Sequence, residues 1–142
     1  MSFDNLMRAI AQKNQLGELD FRDNRYHLTI DSRIEFTCFQ ANGRFFIHGV
    51  IAELPQGEKD RENVLRNLMA KTVGLATTQR VILSIEPEKD ALALHYSCPL
   101  QGLDEDQIEE ALSEFANNFE YYLVEVSQEQ AVMPTMPTMI MP

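Results

Sequence analysis

A chain of 142 residues has the length of one domain and buries roughly 68 % of its unfolded surface on the general size scaling. Its 44 % apolar and 24 % charged residues read as globular, and twelve basic against twenty-two acidic residues give a formal net charge of -10. Such a surface repels nucleic acid and anionic lipid, and a charged partner, if there is one, is basic. The chain has no run of eighteen apolar residues. Asp4 and Arg8 interrupt the N-terminus without a signal-peptide core, so the expectation is a cytoplasmic protein with no membrane insertion.

Phe3, Leu6, Met7 and Ile10 recur at helical spacing and predict an amphipathic helix over 3–14, capped by Ser2 and left through Gly17. Tyr26, Leu28 and Ile30 alternate with polar residues, the period of a half-buried strand. A short polar link, Asp31-Ser32-Arg33, leads into the strongest local signal, Ile34 to Ile51. There, two aromatic and β-branched runs flank Asn42-Gly43, a pair suited to a tight primed turn. A three-stranded meander results. Ile34, Phe36 and Cys38 share one face while Phe39 breaks the alternation and faces the other way unless a bulge intervenes, and the next strand is apolar on both sides, which predicts cover on both faces by helices or a partner subunit.

Beyond Pro55, Gln56 and Gly57, Asp60 is read as an N-cap and Val64, Leu65, Leu68, Met69 and Val73 as the apolar stripe of a second helix ending at Gly74. Val81 to Ile85 and Ala91 to Ser97 form a second antiparallel pair around the turn Glu86-Pro87-Glu88-Lys89-Asp90. Asp104 with Gln107 composes a capping box, and Leu103 with Ile108 a hydrophobic staple. They open a long acidic helix to about residue 127. Residues 131–142 hold four methionines and three prolines without a charge; they are expected to form a flexible tail on a single domain spanning 1–130.

Catalysis has no support in these patterns. Asp104, Glu105 and Asp106 stand where a helix N-terminus favours acids, Ser84, Ser97 and Ser113 lack a nucleophile context, and no phosphate-binding glycine pattern occurs. His27, His48 and His95 are far apart in sequence and all lie in strands; a shared metal site needs them to converge and to add carboxylate or cysteine ligands, so no metal and no cofactor is expected. Cys38 and Cys98 read as buried small hydrophobes. What remains is an excess of apolar surface, which marks a subunit interface or a protein ligand.

The element order α-β-β-β-α-β-β-α, an α+β fold with a twisted antiparallel sheet of about five strands flanked by three helices, resembles the class I effector chaperones of bacterial type III secretion. The likeness is carried by Val64-Leu65-Arg66-Asn67-Leu68-Met69-Ala70, by Ile82-Leu83-Ser84-Ile85-Glu86-Pro87-Glu88, and by Leu100 through Ile108, continuing through Ala111-Leu112, Phe115 and Tyr122. The passage Gly74 to Arg80 departs from it, with one glycine where members often carry several, as does the Met/Pro tail.

The resemblance implies a non-enzymatic homodimer that binds the N-terminal region of a secreted effector in extended form and hands it to the secretion ATPase or sorting apparatus. By position it implies Val64, Leu65, Leu68 and Met69 as dimer candidates, and Phe3, Leu6, Ile10, Leu28, Ile30 and Phe36 as effector-binding candidates. Ordinary core is the competing reading for each. The alternative function is a regulatory or structural protein that binds a folded partner.

Overall fold

Both central residues of each of three tight turns lie in the left-handed backbone region: Asp23 and Asn24 (φ 55° and 61°), Asp31 and Ser32 (54° and 60°), and Asn42 and Gly43 (53° and 76°). Turns of this hand match the twist of antiparallel strands, and Asp and Asn tolerate the conformation better than most side chains. They fold the first half of the sheet as a continuous meander. The computed structural model describes residues 2–75, 80–86 and 88–131. Their elements are α1 (Phe3–Lys13), β1 (Asp20–Arg22), β2 (Arg25–Ile30), β3 (Ile34–Ala41), β4 (Arg44–Glu53), α2 (Glu58–Leu75), β5 (Val81–Glu86), β6 (Ala91–Pro99) and α3 (Glu105–Ala131).

The described strands form one six-stranded antiparallel sheet in the order β1-β2-β3-β4-β6-β5. The sixth strand, beyond the about five expected, is β1. Its three residues are all exposed, so no buried periodicity announces it, and it exists by pairing through the Asp23-Asn24 turn. The hairpin β5–β6 docks through β6 on β4, with a register shift between Val50 and Ala52. The bulge therefore sits in β4. β3 has no bulge, and Phe39 accordingly faces away from the helices, stacked on Phe46 with ring centroids 5.1 Å apart.

Helices α1 and α3 cover one face. Phe3 of α1 lies 5.8 Å from Tyr26 and 5.6 Å from Phe45, while Phe115 of α3 lies 5.5 Å from Phe36, all between ring centroids. Phe45, Ile47, Leu94, Ile108, Phe115 and Leu68 are fully buried in the resulting core. Helix α2 packs against α3, where Thr72 Oγ1 and the Tyr122 hydroxyl share a hydrogen bond of 3.2 Å. The opposite face of β4 holds Phe46, His48 and Val50, half-buried by their own neighbours, with the Arg25 guanidinium 4.0 Å above the Phe39 ring, while beyond the bulge Ala52 pairs with Leu92 on the core side.

The helix ends follow local chemistry. Ser2 Oγ accepts from the Asn5 amide at 3.2 Å, and at the start of α3 the Asp104 and Gln107 side chains each accept the other's backbone amide, at 2.8 and 3.0 Å. Helix α2 begins earlier than anticipated, with the Arg61 amide bonded to the Gly57 carbonyl, so Asp60 lies within the first turn and not at the cap; Gly74 is helical and α2 runs to Leu75. Helix α3 continues one turn beyond 127, to Ala131. Pro87, the side chain of Val73 and residues 132–142, hence nearly all of the Met/Pro segment, lie outside the described residues.

Two contacts generate predictions. A Cβ on Gly49 would lie 2.9 Å from Phe119 Cε2, 3.2 Å from the Glu35 carbonyl and 3.3 Å from Phe115 Cζ. Gly49→Ala is expected to cost about 1–3 kcal/mol by forcing α3 off the sheet, read as a lowered urea midpoint. Tyr26 is buried and its hydroxyl donates to the Asp4 carboxylate; burial first and that bond second push the phenol up from 10.0 to about 12. The folded state keeps this proton after the unfolded chain releases it, so the stabilisation is complete below pH 10 and is lost as pH rises towards about 12. Tyr26→Phe should be less stable at neutral pH by roughly 1–2 kcal/mol and should lack that part of the alkaline slope, measured by denaturant unfolding at stepped pH.

Candidate functional site

Strand β1 is an edge among the described strands, and beside it runs a groove of about 720 Å³ between α1 and the sheet. Asp4, Arg8, Ala11 and Gln15 come from α1 and the residues just after it, and Leu19, Phe21 and Tyr26 from the strand side. Phe21 is 54 % exposed, with its ring 4.7 Å from that of Tyr26, so an aromatic platform stands open at the end of the sheet. An edge strand next to a groove of mixed polar and apolar lining offers both elements that bind extended peptides: a row of backbone groups for strand addition and a pocket for alternate side chains. A second groove of about 610 Å³ lies between α1, the β2–β3 turn and α3. Ile30 and Leu112 line it, and Lys13 of α1 is 3.3 Å from Glu109 of α3 near its rim.

The structure relocates most of the anticipated ligand residues. Phe3, Leu6, Ile10, Leu28 and Phe36 are at most 7 % exposed and belong to the core under the helices, Phe36 against Phe115 of α3; Ile30 alone stays half-buried, at the second groove. The apolar stripe of α1 is spent on covering its own protomer, and the residues open to a ligand lie around its flank. Phe21 was missed because its strand has no alternation; Asp23-Asn24 was the signal that a hairpin preceded Tyr26. The four α2 candidates divide in the same way. Val64 and Leu68 are 2 % and 0 % exposed inside the protomer, whereas Leu65 is half-buried and Met69 is exposed. Spacing i, i+4 places Leu65 and Met69 on one row of the helix, turned from the row of Val64 and Leu68.

Cross-strand register also organises the histidines. His27 pairs with Thr37, Thr37 with His48 and His48 with His95, so the three histidines share one row on the sheet face away from α1 and α3. Thr37 separates His27 from the other two. The His48 and His95 rings meet at 4.6 Å, and Glu86 reaches across the small residue Ala93 to hydrogen-bond His48 Nε2. Burial first, and then the neighbouring His48, hold His95 below its ordinary pKa. Two of three histidines thus converge with a carboxylate, against the expectation drawn from their distance in sequence. Cys38 is fully buried and Cys98 half-buried, both as free thiols, and burial pushes the Cys38 thiol up.

No helix among the described residues is long and apolar enough to cross a membrane. Three solved structures share this fold. The HopA1–SchA chaperone–effector complex matches with a TM-score of 0.65 at 14 % identity, covering 85 % of this chain and 92 % of that one. The heterodimeric ExoU–SpcU complex from the type III secretion system of Pseudomonas aeruginosa matches at 0.63 and 14 %, covering 87 % and 97 %. YbjN from E. coli, described as a candidate transcription regulator, matches at 0.65 and 13 %, covering 92 % and 94 %. No curated protein sequence matches the chain. The profile of the Tir chaperone protein (CesT) family matches residues 5–122, from α1 into the last helix, and the chain therefore belongs to the Tir chaperone protein (CesT) family.

Proposed function

We propose that this protein is a cytoplasmic, non-enzymatic type III secretion chaperone that holds the N-terminal region of an effector in extended form along α1 and the β1 edge. One observation carries the placement: the family match over residues 5–122 falls on a fold whose first edge strand bears an open aromatic residue beside a groove. A chaperone of this kind works by denying its ligand a fold of its own. Backbone pairing at an edge is indifferent to side-chain identity and forces an extended conformation, while the groove takes up apolar side chains that would otherwise aggregate. The excess of acidic groups keeps the complex soluble, and the ligand affinity rests on apolar burial and strand pairing. The second reading is a regulator that binds a folded partner.

Protection from hydrogen exchange separates the two. With an N-terminal effector segment that is unfolded in isolation, protection is expected along Asp20–Arg22 and the exposed flank of α1, and Phe21→Asp should weaken binding at least about tenfold without altering the far-UV circular dichroism. A partner that binds only when folded, or protection confined to the opposite sheet face, would sink the chaperone placement. Binding should persist at 1 M salt, where the Debye length falls from about 8 Å to about 3 Å. Dissociation under those conditions would assign the affinity to charge.

The second partner is another copy of the chain, with Leu65 and Met69 on the outward row of α2 as its contacts. Light scattering should give twice 16.3 kDa for the wild type and the single mass for Leu65→Asp combined with Met69→Asp. Because Leu68 is fully buried within the protomer, Leu68→Asp should unfold the chain and not merely separate subunits. A wild-type monomer at every concentration would remove the dimer.

A further inference from the structure

We propose that His48, His95 and Glu86 form a binding site for one divalent transition-metal cation of the zinc type, on the sheet face opposite α1 and α3. The three side chains come from three neighbouring strands, β4, β6 and β5, and a ring nitrogen of each histidine and a carboxylate oxygen of Glu86 lie within 4.8 Å of one another. Tetrahedral zinc, with bonds of about 2.0–2.2 Å, separates its ligands by roughly 3.3 Å. Side-chain rotation alone closes the remaining distance, since His48 Nε2 and a Glu86 oxygen are already in contact.

The backbone beneath is fixed by strand pairing, with His48 opposite His95 in an unbroken stretch of the β4–β6 ladder. Ala93, fully buried on the same face, leaves room for the Glu86 side chain to pass over it. Such a site is preorganised, because no loop has to be ordered to bring the ligands together.

The donor set decides the class of ion. Two imidazoles and one carboxylate suit zinc and its first-row neighbours, whereas calcium and magnesium take all-oxygen shells. Glu86 supplies one negative charge towards the cation's two, and Lys89 Nζ, 4.0 Å from the other Glu86 oxygen and largely exposed, swings into solvent without breaking a buried contact. Three protein ligands leave the fourth position to water, on the half-exposed outer side of the cluster. The bound ion would tie the β5–β6 hairpin to β4, the junction on which the second half of the sheet depends.

The test is a titration of the chelator-stripped full chain with zinc chloride against a chromophoric chelator, with mass measured by light scattering in the same solutions. One equivalent per protomer is expected in the micromolar range or tighter, weakened at least about tenfold in His48→Ala and in His95→Ala and about tenfold in Glu86→Gln. His27→Ala and Cys98→Ser should bind as the wild type does. In the wild type, long-range proton–nitrogen NMR spectra should show the His48 and His95 rings shifting together at one equivalent while His27 stays in place. That readout decides the matter even where a variant fails to fold. Absence of saturable binding, unchanged affinity in the two histidine variants, or ring shifts at His27 instead would overturn the site.

Discussion

The close approach of α3 to β4 at Gly49 is the contact on which the remaining architecture depends. With hydrogen in place of a side chain, the helix lies low enough for Phe115 and Phe119 to touch the sheet backbone, and Phe36 and Ile47 close around them. Any larger residue there would lift α3, and with it Tyr122, through which α3 meets α2. One position in the centre of the sheet thus sets the height of the helical layer above it.

A helical layer seated so closely accounts for the division of surfaces. The apolar stripe of α1, and Val64 and Leu68 of α2, are consumed inside the protomer, and the large apolar side chains left exposed include Phe21 beside the α1 groove and Met69, next to half-buried Leu65, on the outer row of α2. The far side of the sheet is neither a second core nor an ordinary wet face. Phe39 and Phe46 stack there under Arg25, and His48, His95 and Glu86 stand together a few residues further along. The groove beside Phe21 and the histidine cluster share no lining residue.

This arrangement suits a protein whose work is to keep another chain unfolded. A folded partner is recognised by shape, and shape needs a broad preformed surface; an extended segment needs only an edge, a groove and solubility. The chain has each of these, with its net charge of -10 supplying the last. The same economy explains the lack of any sharp sequence signature, because pairing to backbone and filling of apolar pockets tolerate many residue choices.

Local chemistry was legible in the amino-acid order wherever a residue acts on its near neighbours. The Ser2 cap, the Asp104–Gln107 box, the Asn42-Gly43 turn and the alternation through Tyr26, Leu28 and Ile30 all stand as read, as do the α+β class and the family. Strand β1 escaped, because three exposed residues carry no period and owe their pairing to a turn. Periodicity also marks which face of a helix is apolar without saying what covers it, and for that reason Phe3, Leu6, Ile10, Leu28, Phe36, Val64 and Leu68 proved to be core. Only the packed sheet decided the rest. Placing β6 between β4 and β5 is a long-range choice, made by burial of whole elements, and it is this choice that sets His95 beside His48 and within reach of Glu86, residues that the chain itself keeps 38 or more positions apart from His48.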